Sequence, residues 1–348
     1  MHPRYLLKPA VDLLGAVTEL RELLDEPPPE RGDGILWRFG RRAMATTFEV
    51  LLPAGTPLAQ DFAVAALDEI DRLESVLTAY RAESELSRVN RTAALKPVEV
   101  EENLFQLLAQ CQWLWRETGG GFDIALGALI KCWGFFERQP HVPEPRDLIE
   151  ARRRSGMAQV ALDAANQTVR FHTPGVEINL GSVGKGYALD CVGDLFRREA
   201  RLTDLLLQGG HSSILALGSQ PGSTRGWTIG LADPQNPAQR LGLLRVRNRG
   251  VGTSAATYLH LQHQGRTLGH ILDPRTGWPA EGMLSATVTA PNAMLADALA
   301  TAFFILGVDA AREFCQAHPA FGCVLLAKET YPRPVLLGRA VEEYRPLA

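Results

Sequence analysis

Apolar residues recur along this chain with two different periods, and the changes between them outline its elements. From 59 to 78, Phe62, Ala65, Ala66, Ile70, Leu73, Val76 and Leu77 fall on one face of a helix. A second helix is predicted over 102–118, stopped by Gly119-Gly120-Gly121, and a third over about 184–200, entered through the turn GSVGKG. Further helices are predicted over 292–306 and 309–317. Shorter runs of alternating character predict strands at 46–52, 158–171, 176–180, 204–208, 213–217, 226–231, 241–247 and 322–327, with a hairpin around Gln264-Gly265. QPHVPEPRD reads as a proline-rich connector. Helices and strands mix without strict βαβ alternation, which predicts an α+β fold.

The first 34 residues stand apart. Leu13, Leu14, Val17, Leu20, Leu23 and Leu24 recur with helical period, so an amphipathic helix is predicted over 9–25, ending at Pro27-Pro28-Pro29. The domain reading is therefore an N-terminal helix and proline-rich linker over 1–34, followed by one functional domain over 35–348. Asp12, Glu19, Arg21 and Glu22 interrupt any signal-like apolar core, and no cysteine in the first hundred residues offers a lipid attachment point. No apolar run reaches the ~18 residues a spanning helix needs. A cytoplasmic location and no spanning segment are the expectations.

Composition narrows the chemistry. With 36 basic and 39 acidic residues and a net charge of -3, the chain has no excess of positive charge for nucleic acid or an anionic membrane surface. Its five cysteines lie at 111, 132, 191, 315 and 323 with no CxxC spacing, which argues against a disulfide framework or a zinc site.

Four segments bear reactive or binding side chains. GSVGKG lacks the Ser or Thr that a Walker loop needs after its lysine, because Gly186 stands there. It is either a tight structural turn or a helix entrance at which amides and Lys185 meet an anion. HILDPRTG brings His270, Asp273, Arg275 and Thr276 together after a strand, and a histidine can act as a base near neutral pH. In LADALATAFF, Asp297 and Thr301 share a helix face and offer oxygen, the preference of a hard cation. That helix alone leaves open metal binding and a plain hydrogen bond from a neighbour. In GGGFDIALGALIKCWGFF, Phe122, Trp133, Phe135 and Phe136 suit either a core or a pocket for a flat ring system.

Taken in order, AMATTFEV, TAYRAESELSRVN, GGFDIALGALIKCWGF, NLGSVGKGYALD, LLQGGHSSILALG, GTSAATY, HILDPRTG and SATVTAPNAMLADALATAFFILG resemble the ApbE family of FAD:protein FMN transferases over roughly 43–308. The resemblance implies a two-lobed arrangement related to the T-fold. It also implies FAD as substrate, Mg2+ as cofactor and an acceptor redox protein that receives FMN on a threonine or serine hydroxyl. By position it implies flavin-nucleotide contacts from Met44, Tyr80, Gly121, Phe122, Asp123, Asn179, Lys185 and Leu272. His270 is implied as both a contact and the base for the acceptor hydroxyl. The metal is implied at the main-chain oxygen of Ser182 and the side chains of Asp297 and Thr301.

The chain departs from the family pattern at Asn179 and His211, where aspartate is frequent, at Ala255, where glycine usually follows Thr-Ser, and at Ala125, where threonine is common. Many relatives are also exported. These departures keep two alternatives open: a magnesium-dependent FAD pyrophosphatase and a non-catalytic FAD-binding protein.

Overall fold

The computed structural model describes residues 35–197, 202–255 and 260–347. The helix predicted over 9–25, and with it the 1–34 segment, lies outside the described residues. Among the described residues no helix is long and apolar enough to cross a membrane.

The described residues open with a hairpin, β1 (Leu36–Ala43) and β2 (Thr46–Pro53), turned by Met44 and Ala45, both at positive φ. Three short strands follow: β3 (Val98–Glu99), β4 (Val160–Asp163) and β5 (Thr168–Phe171), paired β3-β5-β4. The second half supplies β6 (Leu205–Gly209), β7 (Ser213–Leu217), β8 (Trp227–Ala232), β9 (Arg240–Val246) and β10 (Arg249–Ala255). After these come β11 (His260–His263), β12 (Arg266–Gly269), β13 (Met283–Ala290), β14 (Gly322–Ala327), β15 (Val335–Gly338) and β16 (Tyr344–Pro346). Eight of these strands form one antiparallel sheet in the order β1-β2-β6-β7-β10-β13-β14-β15. The fold is α+β, as the mixed pattern predicts.

Alternation along the strands decides what covers each face of the sheet. On one face lie the helices Ala59–Leu77, Gly184–Leu195 and Ala293–Leu306, around a core that includes Phe48, Phe62, Leu189, Leu299 and Phe303. On the other face β16-β9-β8 closes a second core, in which Trp227, Ile229 and Leu244 meet Val251 and Val324. A third cluster forms a lobe of its own. There Leu129, Trp133, Leu148, Leu268 and Leu272 join two short helices, Gly127–Cys132 and Pro145–Arg153, to the β11–β12 hairpin.

The helix Ala293–Leu306 is buried on nearly every side, as an almost wholly apolar helix must be. It lies directly on β10 because that strand carries glycines. A Cβ at Gly252 would sit 2.4 Å from the Ala296 carbonyl carbon and 2.5 Å from the Asp297 nitrogen, and one at Gly250 2.2 Å from the Asn292 oxygen. Backbone cannot yield as a flexible side chain would. Gly252→Ala is therefore expected to lower unfolding free energy by about 3 kcal/mol or more, measured as a lower midpoint in urea.

Several boundaries differ from the sequence reading. Residues 176–180 form no strand. Asn90 grips Ile178 from both sides, accepting from its N–H at 2.8 Å and donating to its carbonyl at 2.9 Å. Asn179 N–H donates to the Ile124 carbonyl at 2.7 Å and Gly127 N–H to that of Glu177 at 2.9 Å, so the segment is pinned without a ladder. The proline-rich connector contains a helix start, since Pro145 opens Pro145–Arg153, where its missing N–H costs nothing. A helix at Glu85–Thr92, capped by Ser84 accepting from Ser87 N–H, was not anticipated. The helix predicted over 184–200 is regular over Gly184–Leu195.

Candidate active site

A cavity of about 1140 Å³ is bordered by β10, the start of Gly184–Leu195, the helix Ala293–Leu306 and the segment after β12. Met44, Tyr80, Asp123, Asn179, Ser182 and Lys185 line it, and so do His270, Leu272, Asp297 and Thr301. Residues separated by more than two hundred positions thus share one wall. Gly121 and Phe122 are not among the lining residues. Phe122 is buried in the main core, and a Cβ at Gly121 would fall 2.5 Å from the Leu306 side chain. Of Gly121, Phe122 and Asp123, only Asp123 reaches the cavity.

The first turn of Ala293–Leu306 is held from two directions. The Asn292 Oδ1 caps it by accepting from Leu295 N–H at 2.9 Å. Both carboxylate oxygens of Asp190 accept from the helix, one from Ala293 N–H and one from Met294 N–H, at 2.8 Å each. Burial nevertheless pushes the Asp190 carboxyl up to about 7. Gly186 allows the close crossing of the two helices, because a Cβ there would lie 2.4 Å from the Ala293 oxygen.

One turn further on stands Asp297, only 6% exposed. Its Oδ2 accepts from the Ser213 hydroxyl at 2.7 Å and from Gly186 N–H at 2.9 Å. Burial raises its pKa to about 6, against the opposing pull of Lys185 and these two donors. Four residues later, the Thr301 Oγ1 donates to the Asp297 carbonyl at 3.2 Å and lies 3.1 Å from the Ser254 Oγ. The helical spacing thus places carboxylate and hydroxyl on one face, and β10 meets that face with a further hydroxyl.

Ser182 and Lys185 sit at the entrance of the twelve-residue helix Gly184–Leu195. Asn179 shapes the approach, its Oδ1 accepting from Gly181 N–H at 2.9 Å. Asp123 is similarly committed to backbone: Oδ1 accepts from Ala125 N–H at 2.7 Å and Oδ2 from Met157 N–H at 2.9 Å. Burial lifts its carboxyl to about 6.

The histidine belongs to the other lobe. His270 is half-buried and follows β12 directly, and the next turn fixes its segment. Leu272 bridges to Pro279, and Asp273 accepts from Arg275 through its backbone N–H at 2.9 Å and its Nη2 at 2.7 Å. Trp133 Nε1 donates to the Gly277 carbonyl at 2.8 Å and ties the turn to the lobe's core. Trp133 is thereby a core residue, whereas Phe135 lines the cavity. A second cavity, of about 600 Å³, shares Met44, Tyr80, Asn179 and Lys185 with the first. At its wall Tyr80 and Phe136 stack with ring centres 4.4 Å apart, an aromatic surface suited to a flat ring.

The donor chemistry fits a hard divalent cation. The Asp297 carboxylate and the Thr301 hydroxyl offer oxygen alone, and magnesium ordinarily completes its shell with water and substrate phosphate. Among the described residues no group of three or more His, Cys, Asp or Glu gathers, so the softer ligand sets of zinc or copper are not assembled there.

Sequence reasoning did not find Ser213, Ser254, Gly186 or Asp190 as supports of this site. The pair Ser212-Ser213 after Gly209-Gly210 was the available signal, but its partner lies 84 positions away.

Comparison with known proteins bears on the same residues. Residues 44–325 match the ApbE family. The chain is 34% identical over 280 residues to an FAD:protein FMN transferase of Treponema pallidum, covering 75% of this chain and 77% of the relative. It is 33% identical over 242 residues to one from Klebsiella pneumoniae, covering 69% and 74%. Among solved structures, the ApbE protein of Thermotoga maritima superposes with a TM-score of 0.77 at 25% identity, over 87% of this chain and 96% of the other. The flavin transferase ApbE of Vibrio cholerae shares the fold, with a TM-score of 0.78 at 22% identity over 89% and 99%.

Proposed function

The chain belongs to the ApbE family, and from that premise we propose that it is an FAD:protein FMN transferase that attaches FMN to a threonine or serine hydroxyl of an acceptor redox protein and releases AMP. The observation that carries this reading is the convergence of Asp297, Thr301, Ser182, Lys185 and His270 on one cavity of about 1140 Å³, ample for a dinucleotide.

The pyrophosphate of FAD lies, in this reading, at the entrance of Gly184–Leu195, where Lys185 and the positive helix end offset its charge. In the same reading the flavin ring lies beside Met44 and the adenine beside Tyr80, both of which line the cavity. A magnesium ion held by Asp297, Thr301 and the Ser182 carbonyl would supply further positive charge to the phosphoryl oxygens. An imidazole nitrogen of His270 takes the proton from the acceptor hydroxyl. The hydroxyl oxygen then bonds to the FMN-side phosphorus while the bond to the AMP phosphate breaks. Lys185 stabilises charge on the oxygens as it grows. One FAD and one hydroxyl give one phosphodiester-linked FMN, one AMP and one proton.

Incubation of the full chain with FAD, Mg2+ and a threonine-bearing acceptor domain from a flavin-carrying redox protein is expected to leave flavin fluorescence on the denatured acceptor, with AMP released in equal amount. AMP and free FMN beside an unlabelled acceptor would replace transfer by pyrophosphatase activity. FAD that stays bound and intact would overturn both.

A further inference from the structure

We propose that Ser213 is a positioning residue for the metal-binding carboxylate: its hydroxyl turns one oxygen of Asp297 away from the cavity and leaves the other to meet the cation. The inference rests on the transferase reading and its cation, and it concerns a residue that touches neither cation nor substrate.

Ser213 is fully buried at the start of β7. Its neighbours Ser212 and Ile214 line the cavity, while Ser213 does not. Strand alternation explains this: successive side chains leave on opposite faces, so Ser213 points to the helix layer. There its hydroxyl donates to Asp297 Oδ2 at 2.7 Å. The same oxygen accepts Gly186 N–H at 2.9 Å.

Two donors from two different elements therefore fix a single oxygen. Gly186 contributes main chain held by its helix, and Ser213 contributes the side chain held by the sheet. Rotating the Asp297 carboxylate would break both bonds in a place where water cannot replace them. With Oδ2 so engaged, a cation approaching from the cavity meets the second oxygen in a fixed direction. Partners behind a ligand typically set metal affinity by such orientation.

The test uses the full chain and Mn2+ as probe, read by the loss of its free paramagnetic signal at a pH well above the Asp297 value. FAD affinity is read separately, by flavin fluorescence without metal. Ser213→Ala is expected to weaken Mn2+ binding about 10–100-fold and leave FAD affinity unchanged. Ser213→Cys, similar in volume but a weak donor, is expected to fall between Ser213→Ala and the parent, and it serves alone if the alanine variant does not fold. Ser213→Thr, which keeps the hydroxyl, is expected to restore binding. Parental Mn2+ affinity in a folded alanine or cysteine variant would overturn the proposal. So would a lower melting temperature with no change in Mn2+ affinity, the signature of a packing role alone. A parent chain that binds no Mn2+ in the presence of FAD would instead remove the cation reading on which the proposal stands.

Discussion

Replacing Asp297 with asparagine is expected to slow metal-dependent FMN transfer by about a thousandfold, the scale lost when a focused electrostatic contact at a phosphoryl group is removed. Asparagine is nearly isosteric and keeps an oxygen that can accept from Ser213 and Gly186, so the helix layer should stay intact. Alanine is a different experiment. It strands those two donors in a dry interior, a loss of about 1–3 kcal/mol for each unsatisfied group, offset in part by removal of a buried charge. The asparagine variant should therefore fold like the parent and fail in turnover, whereas the alanine variant should also unfold at lower denaturant. AMP release across a Mg2+ titration, with urea midpoints beside it, separates the two. Parental turnover by Asp297→Asn would refute the metal assignment.

The same carboxylate fixes a pH dependence. Burial lifts its pKa from 3.8 to about 6 in the folded chain. The folded state therefore holds this proton more tightly than the unfolded chain does. The contribution to stability falls as pH rises from 3.8 towards 6, and above that the folded protein bears the full cost of a buried anion. A cation held at Asp297 would relieve that cost at neutral pH, and so on the transferase reading Mg2+ should raise the melting temperature. Below about pH 6 a proton competes for the site, and metal affinity should drop about tenfold per pH unit.

The second large effect is expected at His270. Its removal as alanine should lower the rate of transfer by about 10²–10⁴-fold, the usual contribution of a positioned base, while FAD binding persists. The turn that follows His270 is secured by Leu272, Asp273 and Trp133, so its geometry is expected to survive the substitution. The residual rate should climb with pH as hydroxide takes over the proton. Transfer at the parental rate in His270→Ala, measured as flavin attached to acceptor in single turnover, would assign the proton to another group.

Local periodicity made much of this molecule legible. The helices Ala59–Leu77, Glu102–Glu117 and Ala293–Leu306 and most second-half strands stand where apolar spacing puts them. Strand β10 escaped because RGVGTSA has two glycines and little β propensity; β7 and β13 pair with it on both sides, and its glycines let a helix backbone rest on it. The order of the eight-stranded sheet was equally hidden, since β2 pairs with β6 across some 150 intervening positions that carry no trace of the pairing. Asp297 and Thr301 were visible as a shared helical face. The three groups that steer them, Ser213, Gly186 and Ser254, were invisible because each arrives from a distant element. Gly121 and Phe122 show the converse: a motif can be legible while two of the three residues it assigns to the site, all but Asp123, stay out of the cavity.

The bare backbone of β10 beneath Ala293–Leu306 also bears on how this centre can diverge. Most sites drift by exchanging the side chains that surround them, each exchange nudging the reactive groups a little. Here main chain rests on main chain, and no adjustable layer lies between strand and helix. On the transferase reading, a change of cation would require substituting the ligands themselves, whereas the aromatic wall of Tyr80, Phe135 and Phe136 is free to vary by ordinary side-chain exchange. The helix-bound wall and the aromatic wall are thus expected to evolve at different tempos.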